Sequence, residues 1–283
     1  MLSFSSLRDL ELHVKGKLQE SGVENFSNEA RWLVAETLGI SFTRLLLEST
    51  EAPESQHIEK VLNALTRRCK GEPLSYVLGT ADFRGYDFWV DERVLIPRPE
   101  TERIVEIVGK QLSAESVTRC LEIGVGSGCI AISLLLENPQ LSMVATDISE
   151  DALKVCHRNA LHHGVSDRLE LIHGSVTSGV KPEGFDWIVS NPPYIAADDP
   201  RVAADVREYE PAVALFADHD GLGVIESILR ESPDYLSWTG RIIVEHGEGQ
   251  GQAVEAEFLK YGFVTVRHLD PFGKSRFVEG WVK

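Results

Sequence analysis

Apolar side chains in the first seventy residues recur three and four positions apart, which is the spacing of one helix face. Three such stripes are present: Leu7, Leu10, Val14 and Leu18; Leu33, Val34, Thr37 and Leu38; and Ile58, Val61, Leu62 and Leu65. Pro53 stands near the start of the third stripe and Gly71 near its end, as is usual at the two ends of helices. The pattern predicts a small N-terminal helical bundle over residues 1–72.

The character of the chain changes over residues 73–97. Two short runs rich in aromatic side chains, residues 81–83 and 86–90, flank Arg84-Gly85, which is a plausible hairpin turn. A helix is then predicted to start near Thr101. We therefore expect residues 73–97 to be a connector that contains a β-hairpin.

From about residue 117, short apolar runs alternate with helical patterns. The predicted strands are residues 119–125, 141–147, 169–173, 185–190, 241–245, 263–269 and 276–282. Ser149 is placed to cap the helix that follows the second strand, with Glu150 and Asp151 in its first turn. The alternation predicts a doubly wound α/β domain with a mainly parallel sheet over residues 98–283. The last two strands lack an intervening helix, which predicts an antiparallel hairpin at the sheet edge.

Composition narrows the class of protein. The chain has 283 residues, of which 43% are hydrophobic and 25% charged, as in ordinary soluble proteins of one or two domains. We see no apolar run long enough to cross a membrane and no basic segment leading into an apolar one near the N-terminus. The four cysteines show no C-x-x-C spacing, which favours free thiols in a reducing compartment. We expect a cytoplasmic protein without membrane contact.

The formal charge of −16 indicates which classes of partner the protein is suited to bind. An acidic surface repels phosphate backbones, so direct binding to nucleic acid is disfavoured, whereas a partner with a basic face would suit this charge. The nine histidines show no H-E-x-x-H spacing, and we expect no metal site.

The first candidate for chemistry is a glycine-rich turn between the first predicted strand of the α/β domain and a helix. It reads Gly124-Val125-Gly126-Ser127-Gly128. Glycines let a ligand approach the backbone, and the helix N-terminus offers free N–H groups. The third glycine falls at position 128 rather than 129, and this spacing argues against a dinucleotide-binding dehydrogenase.

Asp147 ends the next predicted strand, about twenty residues after the glycine turn. A carboxylate at this place can accept hydrogen bonds from both hydroxyls of a ribose. A simple helix cap is the plainer alternative, but Ser149 is better placed for that role. Together, Asp147 and the glycine turn predict a cofactor that contains a nucleoside.

A third candidate, Asn191-Pro192-Pro193-Tyr194, directly follows the predicted strand 185–190. Ligands of open α/β sheets bind at the carboxyl ends of strands, so this tetrapeptide should face the same crevice as the glycine turn. Two prolines stiffen the backbone and remove two donors, while the Asn191 side chain supplies an acceptor and Tyr194 a flat face. The set is suited to holding a planar NH₂ group by its two hydrogens.

These motifs resemble class I S-adenosylmethionine-dependent methyltransferases that act on amide or amino nitrogen. The resemblance becomes specific to the release factor glutamine methyltransferases, the HemK/PrmC family, through segments over nearly the whole chain. Those segments are residues 71–79 and 95–102, Tyr209-Glu210-Pro211 with Ala214-Leu215, and Glu245-His246-Gly247 with Gln250.

The resemblance implies a function and a partner. The family transfers a methyl group from S-adenosylmethionine to the side-chain amide nitrogen of the glutamine in the Gly-Gly-Gln motif of peptide chain release factors, which act in translation termination. Its N-terminal helical domain helps to hold the release factor. We expect the same reaction and docking role here, with the chain acting as a monomer.

The resemblance also implies roles for single residues. Gly124, Gly126 and Gly128 would line the methionine part of the cofactor, and Asp147 would bind its ribose. Val125, Ser127 and Asn191 are expected to contact the cofactor as well. Asn191 and the Pro192 carbonyl would hold the glutamine amide, with Tyr194 packed beside it. One departure stands out: many relatives carry an acidic residue after the third strand, where this chain reads His173-Gly174-Ser175-Val176. Adenine recognition is therefore expected to rely on Ser175 or on backbone groups.

Other functions stay open on the sequence alone. Adenine-N6 methylation of nucleic acid would use the same grip on an NH₂ group but needs a basic face. Glutamine methylation of a ribosomal protein differs only in docking surface, and a non-catalytic binding protein is disfavoured by the intact tetrapeptide. The polar segment from Ile195 to Asp220 is either a lid or a surface loop.

Overall fold

The computed structural model describes residues 2–47, 50–112 and 118–282. The chain forms two compact units, one of residues 1–80 with 204–209, the other of residues 81–203 with 210–283. The helices are α1 (Leu7–Glu20), α2 (Phe26–Leu38), α3 (Phe42–Leu47), α4 (Ser55–Cys69), α5 (Leu74–Leu78), α6 (Glu102–Gly109), α7 (Cys129–Glu137), α8 (Glu150–His162), α9 (Ala204–Tyr209), α10 (Ala212–Leu215), α11 (Gly223–Glu231) and α12 (Gly251–Lys260). The strands are β1 (Thr80–Phe83), β2 (Tyr86–Trp89), β3 (Thr118–Ile123), β4 (Leu141–Asp147), β5 (Leu169–His173), β6 (Phe185–Ser190), β7 (Leu236–Glu245), β8 (Phe263–Leu269) and β9 (Ser275–Val282).

The first unit is helical, as the apolar stripes predict. All four stripe residues of α1 are buried, and they form one core with Leu33 of α2 and Val61 of α4. The other two stripes are buried less completely: Thr37, Leu38 and Leu62 are only partly buried. Small residues of α2 and α4 complete the core instead.

The second unit is built on a seven-stranded sheet in the order β5-β4-β3-β6-β7-β9-β8. Strands β3 to β7 are parallel, and β9 is antiparallel to both β7 and β8. The predicted doubly wound sheet with an antiparallel edge hairpin is therefore confirmed. Apolar clusters that include helix residues lie on both faces of β3, where Cys120 belongs to one cluster and Leu121 to the other.

The strand order reverses at β3, which has β4 on one side and β6 on the other. A crevice opens at such a reversal, beyond the carboxyl ends of the strands. The register brings these ends level: Ile123 pairs with both Thr146 and Ser190, and Ser190 pairs with Val244. The residues that follow these four positions therefore share one edge of the sheet.

The predicted hairpin turn is confirmed. Arg84 and Gly85 both have positive φ, 56° and 75°, between β1 and β2. Two consecutive positive φ values characterise a type I′ turn, whose twist matches that of the flanking strands.

The two ends of the segment that follows the tetrapeptide, residues 195–217, are joined by backbone hydrogen bonds. Ile195 forms an isolated bridge with Phe216, its N–H donates to the Leu215 carbonyl at 3.1 Å, and its carbonyl accepts from the Ala217 N–H at 2.9 Å. The segment is more regular than its sequence suggests, because α9 and α10 lie within it.

Candidate active site

A cavity of about 250 Å³ lies at the strand ends of the second unit. Its wall combines the glycine turn after β3, the end of β4, the residues after β5 and β6, and residues from two outer stretches, 93–101 and 211–216. The side chains of Ile148, Val213 and Phe216 make part of this wall apolar. A mostly apolar cleft with a few polar groups is typical of a small-molecule site.

The glycine turn presents two of its glycines to the cavity and the third to the protein interior. Gly124 and Gly126 have positive φ, and a Cβ at either would meet no atom within 4 Å. At Gly128, also at positive φ, a Cβ would lie 2.7 Å from the Cys156 Sγ and 2.8 Å from the Ile132 Cδ1. The first two glycines leave room for a ligand, whereas Gly128 allows α7 and α8 to pack closely.

The two residues between the glycines, Val125 and Ser127, are buried and line the cavity. The Ser127 carbonyl accepts a hydrogen bond of 2.8 Å from the Asn159 side chain of α8. Asn159 also donates to the Trp89 carbonyl at 3.0 Å and accepts from the Trp89 N–H at 2.9 Å. This fully buried amide ties the glycine turn to β2, and no sequence pattern pointed to it.

Asp147 lines the cavity and holds the glycine turn at the same time. One carboxylate oxygen accepts from the Gly126 N–H and the other from the Ser149 N–H, both at 2.9 Å. Each oxygen keeps a second lone pair for a ligand. Burial raises the pKa of Asp147, and the backbone N–H groups of Gly126, Ser149 and Ile148 oppose that rise. Ser149 caps α8 as predicted, since its Oγ accepts from the Ala152 N–H.

Glu122 lies on the cavity wall but is otherwise shut off from solvent, with 1% of its surface exposed. Its Oε2 has no hydrogen-bond partner among the described residues. Burial, with a contribution from Asp147, raises the pKa of this carboxyl well above its usual value. A buried carboxyl without a partner is costly, so this oxygen is suited to receive a cationic group of a ligand.

The residues after β5 contribute Gly174, Ser175 and Val176 to the cavity wall. The Val176 carbonyl accepts from Thr146 Oγ1 at 2.8 Å, and the Gly174 N–H donates to the Asp147 carbonyl at 3.0 Å. Ser175, which the sequence predicts as an adenine contact, therefore lies on the cavity wall.

The structure divides the tetrapeptide between the cavity and the protein interior. Asn191 and Pro193 line the cavity, whereas Pro192 is buried and the Tyr194 hydroxyl donates to Glu245 Oε1 at 3.2 Å. Within the described residues, no group donates a hydrogen bond to the Pro192 carbonyl or to Asn191 Oδ1. Asn191 Oδ1, on the cavity wall, and the Pro192 carbonyl, directly before Pro193, therefore accept no hydrogen bond from the described residues.

Sequence reasoning gave no individual role to a group of side chains around the tetrapeptide. Asn191 Nδ2 donates to Thr101 Oγ1 at 3.1 Å, and Thr101 Oγ1 donates to Glu245 Oε2 at 2.8 Å. Gln250 Nε2 donates to the Tyr194 carbonyl at 2.9 Å, while its Oε1 accepts from the Gly247 N–H. Thr101, Glu245 and Gln250 lie in the family-like segments, which were the only signal for them.

A salt bridge joins the two outer stretches of the wall. Arg98 Nη2 donates to Glu210 Oε1 at 2.5 Å, and the Ile96 N–H donates to the other oxygen at 3.2 Å. Glu210 is 5% exposed, so this carboxylate is stabilised by its partners rather than by water. The contact links residues 95–98 to the segment that carries α10.

No three His, Cys, Asp or Glu side chains of the described residues are grouped closely enough to hold a metal ion. In the same residues, no helix has the length and apolar character needed to cross a membrane.

Comparison with family models gives two matches. Residues 11–79 match the PrmC N-terminal domain, and residues 104–208 match the methyltransferase small domain. The first match lies within the helical unit, and the second, apart from residues 204–208, lies within the sheet-containing unit.

Relatives match over nearly the whole chain. A release factor glutamine methyltransferase of Geobacter sulfurreducens is 40% identical, over 94% of this chain and 93% of that protein. A bifunctional methyltransferase of Rickettsia bellii is 37% identical, over 93% of this chain but 52% of that protein. The chain thus spans about half the length of the bifunctional relatives it matches.

Solved structures support the fold. A methyltransferase from Pyrococcus furiosus superposes with a TM-score of 0.52 at 16% identity, covering 77% of this chain and 97% of that one. At this identity the likeness shows a shared architecture.

Proposed function

The chain belongs to the release factor glutamine methyltransferase family, and on that premise we propose that it methylates a release factor. The reaction would transfer a methyl group from S-adenosylmethionine to the side-chain amide nitrogen of the glutamine in a Gly-Gly-Gln motif. The observation that carries the proposal is a pair of acceptors, Asn191 Oδ1 on the cavity wall and the Pro192 carbonyl directly before Pro193, that accept no hydrogen bond from the described residues.

The cavity residues fit the cofactor. The unpartnered Glu122 oxygen would face its cationic amino acid part, and the open Gly124 and Gly126 would leave room for that part against the backbone. The free lone pairs of Asp147 would accept from the ribose hydroxyls, with Ser175 near the base. When bound, the cofactor supplies a methyl group on a positively charged sulfur, which makes that carbon electrophilic without a metal.

The task of the protein residues is to orient a poor nucleophile. The lone pair of an amide nitrogen is delocalised into its carbonyl, so the nitrogen attacks only when held in a favourable position. Asn191 Oδ1 and the Pro192 carbonyl would each accept one amide hydrogen, which fixes the plane of the glutamine amide. Positioning of this kind contributes up to roughly 7–11 kcal/mol in ideal systems. The nitrogen loses one proton overall, which leaves to water after transfer, so no strong base is required.

The acidic protein suits a basic partner rather than nucleic acid. The net charge is −16, and the one short basic run, residues 67–70, is used within the helical unit. Arg67 Nε donates to Glu72 at 2.8 Å and Arg68 Nε donates to Glu29 at 2.6 Å. We propose that the helical unit, residues 1–72 in the predicted division, docks the release factor, and that the chain acts as a cytoplasmic monomer.

The direct test is transfer of labelled methyl groups from S-adenosylmethionine to purified, unmethylated release factor. The control is the same factor with the Gly-Gly-Gln glutamine changed to alanine, with duplex DNA and ribosomal proteins assayed alongside. We expect label on the normal factor alone. Label only on DNA or on a ribosomal protein would overturn the choice of substrate while keeping the amino-group chemistry.

The role of Asn191 is tested by Asn191→Ala. We expect cofactor affinity to stay near that of the parent, because the main contact assigned to Asn191 is the substrate amide, and kcat to fall by about 100-fold or more. Asn138→Ala is a matched control, since Asn138 ends α7 away from the cavity and bonds the Leu134 carbonyl. Equal losses of cofactor affinity and kcat in Asn191→Ala would contradict the assigned role.

A further inference from the structure

A chain of hydrogen bonds leads from the cavity to a buried carboxylate. Asn191 Nδ2 donates to Thr101 Oγ1 at 3.1 Å, and Thr101 Oγ1 donates to Glu245 Oε2 at 2.8 Å. The other carboxylate oxygen accepts from the Tyr194 hydroxyl at 3.2 Å. Thr101 and Glu245 are each 1% exposed, so water does not compete for these bonds.

The direction of each bond follows from counting protons. An ionised carboxylate can only accept, so the single hydroxyl proton of Thr101 must point to Glu245. The Thr101 oxygen can then only accept from its other neighbour. Asn191 must therefore turn its NH₂ group towards Thr101, and its oxygen becomes the end that is left for a ligand.

This direction matters because the two ends of an amide have nearly the same shape. Packing alone does not distinguish oxygen from NH₂, and the hydrogen-bond partners decide which way the side chain points. With the amide reversed, Asn191 would offer donors to a substrate that itself brings an NH₂ group. The hydrogen bond from the substrate NH₂ group to Asn191 would be lost, although the shape of the site would hardly change.

We propose that Thr101 and Glu245 are positioning residues that set the orientation of the Asn191 amide, so that its oxygen faces the substrate. The inference rests on the proposed function of Asn191. Neither residue is required to touch the reacting atoms, and both act through Asn191.

A consequence concerns the protonation of Glu245. A protonated carboxyl can donate to Thr101, which frees the Thr101 proton to point at Asn191 and favours the reversed amide. Burial raises the pKa of Glu245 to about 7, although hydrogen bonds from Thr101 and Tyr194 oppose the rise. The other ionisable groups that interact with this carboxyl are Arg276, Glu100 and Cys129.

The first experiment compares Thr101→Val with Thr101→Ser, using methyl transfer to the release factor at saturating cofactor. Valine keeps the shape but removes the hydroxyl, and we expect kcat to fall by about 10- to 100-fold, as for other residues that orient an active-site side chain. Serine keeps the hydroxyl and should restore most of the rate. Cofactor affinity should stay unchanged in both variants.

A matched control separates this effect from general damage. Thr177 is also buried and donates to a glutamate, Glu231, at 2.7 Å, but has no bond to Asn191. Thr177→Val should keep kcat, and thermal unfolding shows whether the two valine variants are equally folded. If Thr101→Val keeps the parental kcat, or loses no more than Thr177→Val, the inference is wrong.

The second experiment measures kcat against pH for the parent and Glu245→Gln. In the parent, kcat should rise as the pH increases through about 7, because the ionised carboxylate sets the useful orientation. Glu245→Gln removes that titration, so its lower kcat should stay flat over the same range. The double variant Thr101→Val/Glu245→Gln should be no worse than Thr101→Val alone, because both changes break one chain. Additive losses, or a rise near pH 7 that survives in Glu245→Gln, would overturn the proposal.

The activity of the parent protein distinguishes failure of the proposed function from failure of the positioning role. A parent that transfers no label to the release factor would contradict the proposed function itself. An active parent whose Thr101 and Glu245 variants behave like the parent would contradict only the positioning role.

Discussion

At the residue scale, three side chains of the cavity keep hydrogen-bonding capacity for a ligand. Asp147 uses one lone pair of each oxygen on backbone N–H groups and keeps the others. Asn191 uses its NH₂ group on Thr101 and keeps its oxygen. Glu122 keeps a whole oxygen without a partner among the described residues. Asp147 and Asn191 are therefore held in place before a ligand arrives, which lowers the entropic cost of binding.

Asp147→Ala tests the cofactor contact at this scale. Hydrogen bonds to a charged group contribute about 1.5–3 kcal/mol, so the cofactor dissociation constant should rise by roughly 10- to 100-fold. Asp151→Ala is the control, because Asp151 is exposed on α8 and pairs with Lys154. Calorimetric titration of both variants measures the effect. An unchanged dissociation constant in Asp147→Ala would remove Asp147 from the cofactor site.

At the element scale, the site depends on where strands end. The register aligns the ends of β3, β4, β6 and β7, so that the glycine turn, Asp147, Asn191 and Glu245 meet at one edge. The glycine turn also fixes how closely α7 and α8 approach, through the missing side chain of Gly128. The same turn therefore serves both the local backbone conformation and the packing of α7 against α8.

Gly128→Ala tests the close packing. Its Cβ would contact Cys156 and Ile132 below 3 Å, and crowding of this kind costs about 1–3 kcal/mol. Gly124→Ala is the matched control, because its φ is also positive but its Cβ would meet nothing within 4 Å. Urea unfolding without cofactor should show a lower unfolding free energy for Gly128→Ala by that amount. Equal stability of the two variants would contradict the packing role.

At the scale of the whole molecule, a buried carboxyl links stability to pH. The pKa of Glu245 is about 7 in the folded protein, against 4.5 for an ordinary glutamate. Between these values the folded state holds a proton that the unfolded state has released. The contribution of Glu245 to the unfolding free energy therefore falls as the pH rises from about 4.5 to 7 and is constant above that.

Glu245→Gln should remove this dependence. At pH 5 the folded parent carboxyl is protonated and resembles glutamine, so the two proteins should differ in stability by less than about 1 kcal/mol. At pH 8 the variant should be more stable by up to about 3 kcal/mol, because no charge is buried. Urea unfolding at both pH values measures the difference. Parallel stability curves would show that the pKa of Glu245 is not raised. If Glu245→Gln gains stability at pH 8 but loses kcat, the buried charge lowers the stability of the protein in favour of its activity.

The sequence by itself determined many of the local elements. The helical stripes, the hairpin turn at Arg84-Gly85, the strand bounds 141–147 and 185–190 and the cap at Ser149 are local patterns, and the structure confirms them. The candidate site residues were also predictable from the sequence, because the carboxyl ends of parallel strands lie at the same edge of a sheet. The roles assigned to Gly124, Asp147 and Asn191 stay predictions, although the structure places all three on one cavity.

Only the tertiary structure decided which side chains act together. It placed Gly128 against Cys156 and Ile132 rather than on the cavity, and it turned the Tyr194 hydroxyl to Glu245. It also joined Asn191 to Thr101, 90 residues away, and Thr101 to Glu245, 144 residues away. Hydrogen bonds over such separations leave no periodic pattern in a sequence, because they depend on how strands are ordered and in which register they pair.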